Sequence, residues 1–205
     1  AQYHLRYLLG LYLDITPDKV EFVLGEHGKP YLKINSDKLN FKLQFNISHS
    51  KEYSVFAFIK DKEIGVDIEK IDEKPYLELA DRFFTKQEKD LLHAKEPDID
   101  AIKLGFFRLW TRKEAYIKAI GLGLHYPLDA FSVNLEKKPI FLDEDVSSKW
   151  SIGNFEIKLE QESNNGGENS LSYCGCWVVQ KGLNFDTKTS IENIDKYLLK
   201  LTNMI

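Results

Sequence analysis

The segment 64–69, with the sequence IGVDIE, restricts the fold more than any other part of the chain. In an extended chain successive side chains point to opposite faces, so its three β-branched residues share one face. Asp67 and Glu69 share the other face with Gly65. The apolar face requires a core, whereas the acidic face is either solvated or directed at a cation. The segment therefore predicts a buried strand with two carboxylates on one side, and for this pattern alone the solvated face is the simpler interpretation.

Composition excludes several classes of protein. The chain has 205 residues, 43% of them hydrophobic, and carries 28 basic against 32 acidic side chains. The formal net charge of -4 gives no general attraction for nucleic acid. No stretch approaches the roughly 18 apolar residues of a membrane span, and no signal peptide is recognisable. We therefore expect a cytoplasmic protein that binds neither nucleic acid nor membrane and that holds any anionic ligand with a local cluster of charges.

Alternating apolar residues bounded by turn residues predict several strands. Residues 53–60 and 64–69 are expected to pair as a hairpin across the polar turn between them. Cys174 and Cys176 lie two apart in an apolar run, so we expect them to be small buried side chains on one strand face rather than metal ligands. Strands are predicted over residues 20–34, as two pieces around the turn at Gly28, Lys29 and Pro30, and over residues 41–48, 53–60, 64–69, 131–135, 155–161 and 171–180.

Helical spacing and helix boundary signals predict the remaining elements. Residues 1–13 have helical spacing without a capping residue in front, so we expect a further segment upstream of them. Thr85 and Glu88 have the spacing of a capping box. A long helix is predicted from near Asp98 to Ile120, and a last helix over residues 192–201. Strands, then helices, then strands again indicate an α+β fold.

The helix over residues 105–120 carries a lysine where an apolar side chain is expected. Phe106, Leu109 and Ile117 belong to one apolar stripe at 100° per residue, and Lys113 lies near its middle. An uncompensated buried ammonium costs several kcal/mol. Lys113 is therefore expected to anchor the helix through an anion, to extend its ammonium to solvent, or to contact a ligand.

Glu114 and Lys118 lie one turn apart on the flank of this helix. A Glu and a Lys at this spacing are usually a surface pair worth a few tenths of a kcal/mol. If this flank packs against Asp67 and Glu69, three carboxylates converge, and they repel one another unless a cation lies between them. Mg²⁺ prefers such hard oxygen ligands together with substrate phosphate, which Lys118 would reach as a point charge. The pattern favours displacement at phosphorus.

These two motifs together resemble a known family. They resemble the paired signature of 4′-phosphopantetheinyl transferases of the surfactin-synthetase-activating (Sfp) type. The first motif is IGVDIE at 64–69, the second is WTRKEAYIK at 110–118, and 42 residues lie between Asp67 and Trp110. The resemblance covers essentially the whole chain and is weaker beyond about residue 135. Further matching segments are HLRYLLG at 4–10, HGKP at 27–30, FNISHS at 45–50, FFTKQE at 83–88 and GLGL at 121–124.

The resemblance implies a fold and a reaction. The family fold is a pseudo-dimeric α+β monomer of two lobes, here expected over residues 1–66 and 67–205, with coenzyme A and Mg²⁺ or Mn²⁺ in the cleft between them. Its members transfer the 4′-phosphopantetheine arm of coenzyme A to a serine of an apo acyl, peptidyl or polyketide carrier protein and release adenosine 3′,5′-bisphosphate. The alternative is a non-catalytic homologue that binds coenzyme A or a carrier protein.

The resemblance also implies roles for individual residues. Asp67, Glu69 and Glu114 correspond to the metal ligands. Lys118 corresponds to the lysine that contacts the pyrophosphate, and Glu114 is also the expected base for the serine, directly or through a metal-bound water. The remaining positions that match coenzyme A contacts are Arg6, Lys29, Ser48, His49 and Lys113. Gly65 is expected to leave room for the bound cofactor.

Overall fold

The computed structural model describes residues 2–33, 41–158 and 171–182, and confirms a mixed α and β fold. Its first part contains one α-helix, α1 (Gln2–Leu13), a short 3-10 helix (Pro17–Lys19) and two antiparallel strand pairs. The first pair is β1 (Phe22–Leu24) with β2 (Pro30–Leu32), around the predicted turn. The second is β3 (Leu43–Ser50) with β4 (Tyr53–Lys60).

The second part contains a three-stranded antiparallel sheet and four helices among the described residues. In the sheet, β7 (Leu171–Gln180) lies between β5 (Ile64–Lys70) and β6 (Trp150–Lys158). The helices are α2 (Tyr76–Phe83), α3 (Lys86–His93), α4 (Ile99–Ile120) and α5 (Glu144–Lys149). None of the helices in the described ranges is long and apolar enough to span a membrane. The predicted helix over residues 192–201 and residues 159–161 of a predicted strand lie outside the described residues.

The predicted hairpin of residues 53–60 with 64–69 is wrong. β4 pairs with β3, while β5 pairs with β7 so that Asp67 stands opposite Cys176. The turn between β4 and β5 therefore joins two different sheets. The apolar face of β5 packs with Tyr173 and Val179 in a core shared with β4. This partner lies more than 100 residues away in the chain, so the local pattern of a polar turn between two strands could not reveal it.

The predicted strand over residues 131–135 is also wrong, because only an isolated bridge joins Val133 to Phe141. Asn134 N still donates to the carbonyl of Ile140 at 3.1 Å, but the two N–H groups before it are used by side chains. Ser132 N donates to Asp143 Oδ2 at 2.7 Å, and Val133 N donates to Glu88 Oε1 at 2.9 Å. A segment whose donors are taken by carboxylates cannot form a regular ladder with a neighbouring strand.

The boundaries of the central helices follow the predicted local signals. Thr85 and Glu88 form a complete capping box at α3. Asp98 caps α4 by accepting from Ala101 N at 3.0 Å, and Gly121 ends it in the left-handed conformation with φ 76°. Cys174 and Cys176 of β7 are both buried, as predicted. α4 packs across β5 and β7, and its apolar side chains share the largest apolar core with Cys174, Cys176 and Val178 of β7.

Lys113 anchors α4 inside the protein. Its ammonium lies 2.9 Å from Glu88 Oε2, and both side chains are fully buried. It also donates to the carbonyls of Leu128 and Phe131, each at 2.6 Å. Of the three alternatives for this lysine, the structure therefore shows anchoring by an anion of the protein itself, in a pair that links α3, α4 and the segment after α4.

Gly65 is required by helix packing rather than by room for a cofactor. A Cβ atom at this position would lie 2.0 Å from the carbonyl oxygen of Ala115 and 2.4 Å from the amide nitrogen of Ala119. Both are backbone atoms of α4 and cannot rotate away. The glycine therefore allows β5 and α4 to approach so closely that side chains beside it on both elements meet.

Gly65→Ala is consequently expected to lower the free energy of unfolding by about 3 kcal/mol, at the upper end of the usual cost of overpacking. Urea denaturation of the purified protein measures this. Gly182→Ala is the matched control, since its added Cβ would meet only the flexible end of Lys62, with Cε at 3.0 Å. Equal stability of the two variants would contradict the packing role of Gly65.

Candidate active site

β5 and α4 bring the three predicted metal-binding carboxylates into one acidic cluster. Asp67 and Glu69 lie two residues apart on β5, and Glu114 lies on α4, which packs against β5. The three charges influence one another, because Asp67 and Glu69 both raise the pKa of Glu114, and Asp67 raises the pKa of Glu69. We refer to Asp67, Glu69 and Glu114 as the carboxylate cluster.

Asp67 is the most buried member of the cluster, with 3% of its surface exposed. Its Oδ1 accepts hydrogen bonds from Lys118 Nζ at 2.6 Å and from Ser48 Oγ at 2.8 Å. Burial raises the pKa of Asp67, and Lys118 and Ser48 oppose this effect. Its other oxygen, Oδ2, is buried and has no hydrogen-bond partner among the described residues. A buried carboxylate oxygen without a donor is costly, and a cation would satisfy it.

Glu114 has an unusually high proton affinity. Burial, and then the charge of Asp67, raise its pKa from an ordinary 4.5 to about 7, although Lys118 acts in the opposite direction. Burial and the charge of Asp67 also raise the pKa of Glu69. A carboxylate with a pKa near neutrality is suited to accept a proton from a substrate hydroxyl.

The donor set fits Mg²⁺, but it is not a closed coordination sphere. Within the described ranges, no three His, Cys, Asp or Glu side chains are arranged tightly enough to form a ready metal site. The carboxylate cluster nevertheless offers only oxygen atoms, one of them the unpartnered Asp67 Oδ2. Mg²⁺ commonly takes one or two protein carboxylates and completes its octahedron with water and substrate phosphates. These residues would hold such an ion only together with further ligands.

A cavity of about 220 Å³ opens next to the cluster. Lys118 lines it and also contacts Asp67, so one ammonium connects the cavity with the carboxylates. The rings of His27 and His125 lie 4.9 Å apart near its edge. The cavity is lined by residues 27–30, Asn46, Ile47, Lys118, Gly121 and Gly123.

The predicted coenzyme A contacts occupy different surroundings. Ser48 lies between the clustered Asp67 and Lys118, whose Nζ it contacts at 3.1 Å. His49 is exposed on the opposite face of β3. Arg6 donates to the carbonyl of Val20 and covers the ring of Phe22, and it does not line the cavity.

Lys29 lines the cavity, but its ammonium is committed to the protein. It lies 2.7 Å from Glu63 Oε2 and also donates to the carbonyls of Ala119, at 2.8 Å, and Ile64, at 3.3 Å. Burial lowers the pKa of Lys29, and Glu63 opposes this effect. The side chain thereby joins the β1–β2 turn, the start of β5 and the end of α4. Lys113, which contacts Glu88 and two carbonyls, is likewise not brought to the carboxylate cluster.

Two residues of the site were not predicted as such. Asn46 Oδ1 accepts from Val66 N at 2.9 Å and lines the cavity, and Ser50 Oγ donates to Glu69 Oε2 at 3.2 Å. Both share a face of β3 with Ser48, since they are two residues from it. Polar residues at every second position of FNISHS were the signal that could have identified them.

Models of one protein family match both parts of the chain. The model described as the 4′-phosphopantetheinyl transferase superfamily matches residues 63–174. A model described as the N-terminal part of 4′-phosphopantetheinyl transferase matches residues 2–60. The two matches meet at the turn between β4 and β5. The predicted lobe boundary at residues 66 and 67 falls inside β5 and stays a prediction.

Individual relatives carry related names. A Synechocystis sp. protein provisionally named as a 4′-phosphopantetheinyl transferase is 34% identical over 184 residues, which are 88% of this chain and 73% of that protein. The 4′-phosphopantetheinyl transferase Sfp of Bacillus subtilis is 39% identical over 134 residues, covering 65% of this chain and 55% of Sfp. HetI of Nostoc sp., another 4′-phosphopantetheinyl transferase, is 42% identical over 122 residues, covering 58% of this chain and 49% of HetI. The chain thus matches only about half the length of the latter two.

A solved structure, that of the Thermotoga maritima holo acyl-carrier-protein synthase (AcpS), matches with a TM-score of 0.41 and 16% identity. It covers 62% of this chain and 71% of the other, and this likeness is too low to carry an argument. The matches of the two family models and the identity to the Synechocystis protein establish the family without it. The chain belongs to the 4′-phosphopantetheinyl transferase superfamily.

Proposed function

We propose that the protein transfers the 4′-phosphopantetheine arm of coenzyme A to a serine hydroxyl of an apo acyl, peptidyl or polyketide carrier protein. The reaction depends on Mg²⁺, which Mn²⁺ can replace, and releases adenosine 3′,5′-bisphosphate. We further propose that the enzyme acts as a monomer in the cytoplasm and has two lobes. Family membership supports the type of reaction, since relatives are named as 4′-phosphopantetheinyl transferases.

One observation carries the proposal. The two motifs that resemble the family signature converge in space, where Lys118 Nζ of α4 lies 2.6 Å from Asp67 Oδ1 of β5. The same lysine lines a cavity formed by residues of both parts of the chain, namely 27–30, Asn46 and Ile47 on one side and Gly121 and Gly123 on the other. An acidic cluster with a cation at the edge of a cavity suits the binding of a metal and a pyrophosphate.

The reaction is a single displacement at phosphorus. The serine oxygen of the carrier protein forms a bond to the phosphorus that carries pantetheine, and the bond from this phosphorus to the bridging oxygen of the pyrophosphate breaks. Glu114 accepts the proton of the serine. In the protein without metal, burial and the charge of Asp67 raise the pKa of Glu114 to about 7, so its carboxylate can take up a proton near neutral pH. No covalent intermediate with the enzyme is needed.

Lys118 and the carboxylates stabilise the changing charges. Lys118 is the cation next to the cavity, and we propose that it exchanges its contact with Asp67 for the leaving phosphate. Asp67, Glu69 and Glu114 would hold the Mg²⁺, which neutralises pyrophosphate charge and positions the reactants when it is bound. Positioning of the serine and the phosphate next to one another supplies much of the remaining acceleration.

Coenzyme A is proposed to occupy the cavity and the surface around it. Ser48, His49 and Arg6 stay predicted contacts of its adenosine and phosphate groups. Lys29 and Lys113 were predicted as contacts as well, but their ammonium groups have protein partners. We therefore propose that these two lysines support the site from within the fold, with the stem of Lys29 forming part of the cavity wall.

Mass spectrometry of a carrier protein tests the function. The protein is incubated with coenzyme A, Mg²⁺ and several apo carrier proteins, and we expect at least one carrier to gain the mass of one phosphopantetheine. The gain should disappear when the target serine of the carrier is replaced by alanine. Absence of any gain at saturating metal would refute the transferase proposal. Binding of coenzyme A without transfer would then favour the alternative of a non-catalytic homologue.

A further inference from the structure

Three side chains of β3, those of Asn46, Ser48 and Ser50, join β3 to the backbone of β5. Asn46 Oδ1, Ser48 Oγ and Ser50 Oγ lie on one face of β3, since they are two residues apart. They accept hydrogen bonds from the backbone N–H groups of residues 66, 68 and 70, at 2.9, 3.3 and 3.0 Å respectively. Each contact spans 20 positions, so the two strands run in the same direction. Because β3 and β5 belong to different sheets, side chains take the place of a backbone ladder here.

The same hydroxyls also reach the carboxylates of β5. Ser48 Oγ donates to Asp67 Oδ1 at 2.8 Å, and Ser50 Oγ donates to Glu69 Oε2 at 3.2 Å. Both contacts span 19 positions. Each carboxylate of β5 therefore has its own serine, which is itself fixed by the N–H of the residue that follows the carboxylate.

Of these three side chains, only that of Asn46 has no carboxylate to contact. At the same spacing, Asn46 corresponds to Gly65, whose lack of a side chain is imposed by the backbone of α4. Asn46, Ser48 and Ser50 thus correspond to Gly65, Asp67 and Glu69 in order. The segments FNISHS and IGVDIE form one structural unit, in which β3 determines where the acidic face of β5 points.

Building on the proposed function, we infer that Ser50 is a positioning residue for the metal ligand Glu69. Glu69 is half-buried, and its only salt-bridge partner in the described ranges is Lys74, whose Nζ lies 4.0 Å from Glu69 Oε2. The bond from Ser50 restrains a long side chain that would otherwise adopt several rotamers. Partners of this kind orient metal ligands, and their loss usually weakens metal binding by about tenfold or more. Ser50 needs no contact with coenzyme A or the carrier to act in this way.

The test measures Mn²⁺ affinity without turnover. Free Mn²⁺ is titrated by electron paramagnetic resonance with the full chain at saturating coenzyme A and without carrier protein. We expect Ser50→Ala to raise the dissociation constant for Mn²⁺ about tenfold, because it removes the hydroxyl that holds Glu69. Ser50→Thr, which keeps a hydroxyl, should restore the affinity to within about twofold, since its methyl group adds no charge.

Ser132→Ala separates positioning of Glu69 from the loss of any part-buried hydroxyl. It removes a hydroxyl that donates to Thr85 Oγ1 at 3.1 Å, and Ser132 neither lines the cavity nor contacts the carboxylate cluster. Both variants should lower the midpoint of thermal unfolding, whereas only Ser50→Ala should weaken Mn²⁺ binding tenfold. Equal Mn²⁺ affinity of Ser50→Ala and the wild type would overturn the role of Ser50 and leave the proposed function intact. A wild-type protein that binds no Mn²⁺ would instead refute the proposed metal site, and the positioning role with it.

Discussion

Glu114→Gln is expected to slow phosphopantetheinyl transfer by at least about 10³-fold at saturating coenzyme A and Mg²⁺. The amide keeps the size of the side chain but cannot accept the proton of the serine, a contribution worth about 10²–10⁴-fold by itself. It also removes one of the three carboxylates proposed to hold the metal. Initial rates with a carrier protein that the wild type modifies would measure the effect.

A matched acidic residue provides the control. Glu144→Gln makes the same chemical change in the first turn of α5, where the side chain is exposed and is not part of the carboxylate cluster. We expect its rate to equal that of the wild type within about twofold, as for other surface substitutions. Turnover of Glu114→Gln at the rate of Glu144→Gln would refute the role of Glu114 as the base.

The stability of Glu114→Gln should depend on pH in a defined direction. Burial, together with the charge of Asp67, raises the pKa of Glu114 to about 7 in the folded protein, above its ordinary value of 4.5. Between these values the folded state retains a proton that the unfolded chain releases, so raising the pH through this window destabilises the wild type. Glutamine has no such proton. In metal-free buffer with a chelator, the free energy of unfolding of the variant relative to the wild type should therefore increase from pH 5 to pH 8.

Lys113→Met is expected to lower the free energy of unfolding by about 3–5 kcal/mol, the usual cost of removing one partner of a buried ion pair. The substitution leaves Glu88 charged in a fully buried position and leaves the carbonyls of Leu128 and Phe131 without their donor. Urea denaturation at neutral pH would measure the loss. Adding Glu88→Gln to this variant should recover part of the stability, because the amide carries no charge.

The control for Lys113 lies on the same helix. Lys103→Met removes an ammonium whose partner Glu73 is 79% exposed, and exposed pairs contribute about 1 kcal/mol or less. A loss no larger than that of Lys103→Met would show that Lys113 does not anchor α4. Failure of Glu88→Gln to recover stability would show instead that the cost lies in the two carbonyl groups.

Local interactions made much of the fold predictable from the sequence. The limits of α4 follow from Asp98 and Gly121, and the start of α3 follows from Thr85 and Glu88, because caps act within a few residues. The alternation of IGVDIE fixes which side chains share a face, since the pleat has a period of two. The position of Lys113 in an apolar stripe indicated that it needs a partner, although not which one.

Contacts between distant segments decided the rest. The pairing of β5 with β7, rather than with β4, depends on an apolar face shared with Tyr173 and Val179, which the turn beside β5 does not encode. The N–H groups of residues 132 and 133 donate to carboxylates from other segments. The strand that the local pattern predicted over residues 131–135 therefore does not form. Lys29 resembled a ligand contact by position, but its ammonium is held by Glu63 and the end of α4.

The sequence by itself thus determined α1, the start of α3, the limits of α4, the faces of β5, the family resemblance and the identity of the acidic residues. Only the tertiary structure decided that Gly65 is needed by the backbone of α4, that Asp67 keeps one oxygen without a partner, and that Ser50 restrains Glu69. The physical reason is the distance along the chain over which each interaction acts. Caps and pleats act over a few residues, whereas the close approach of a helix and two strands depends on side chains 19 to 70 positions apart in the chain.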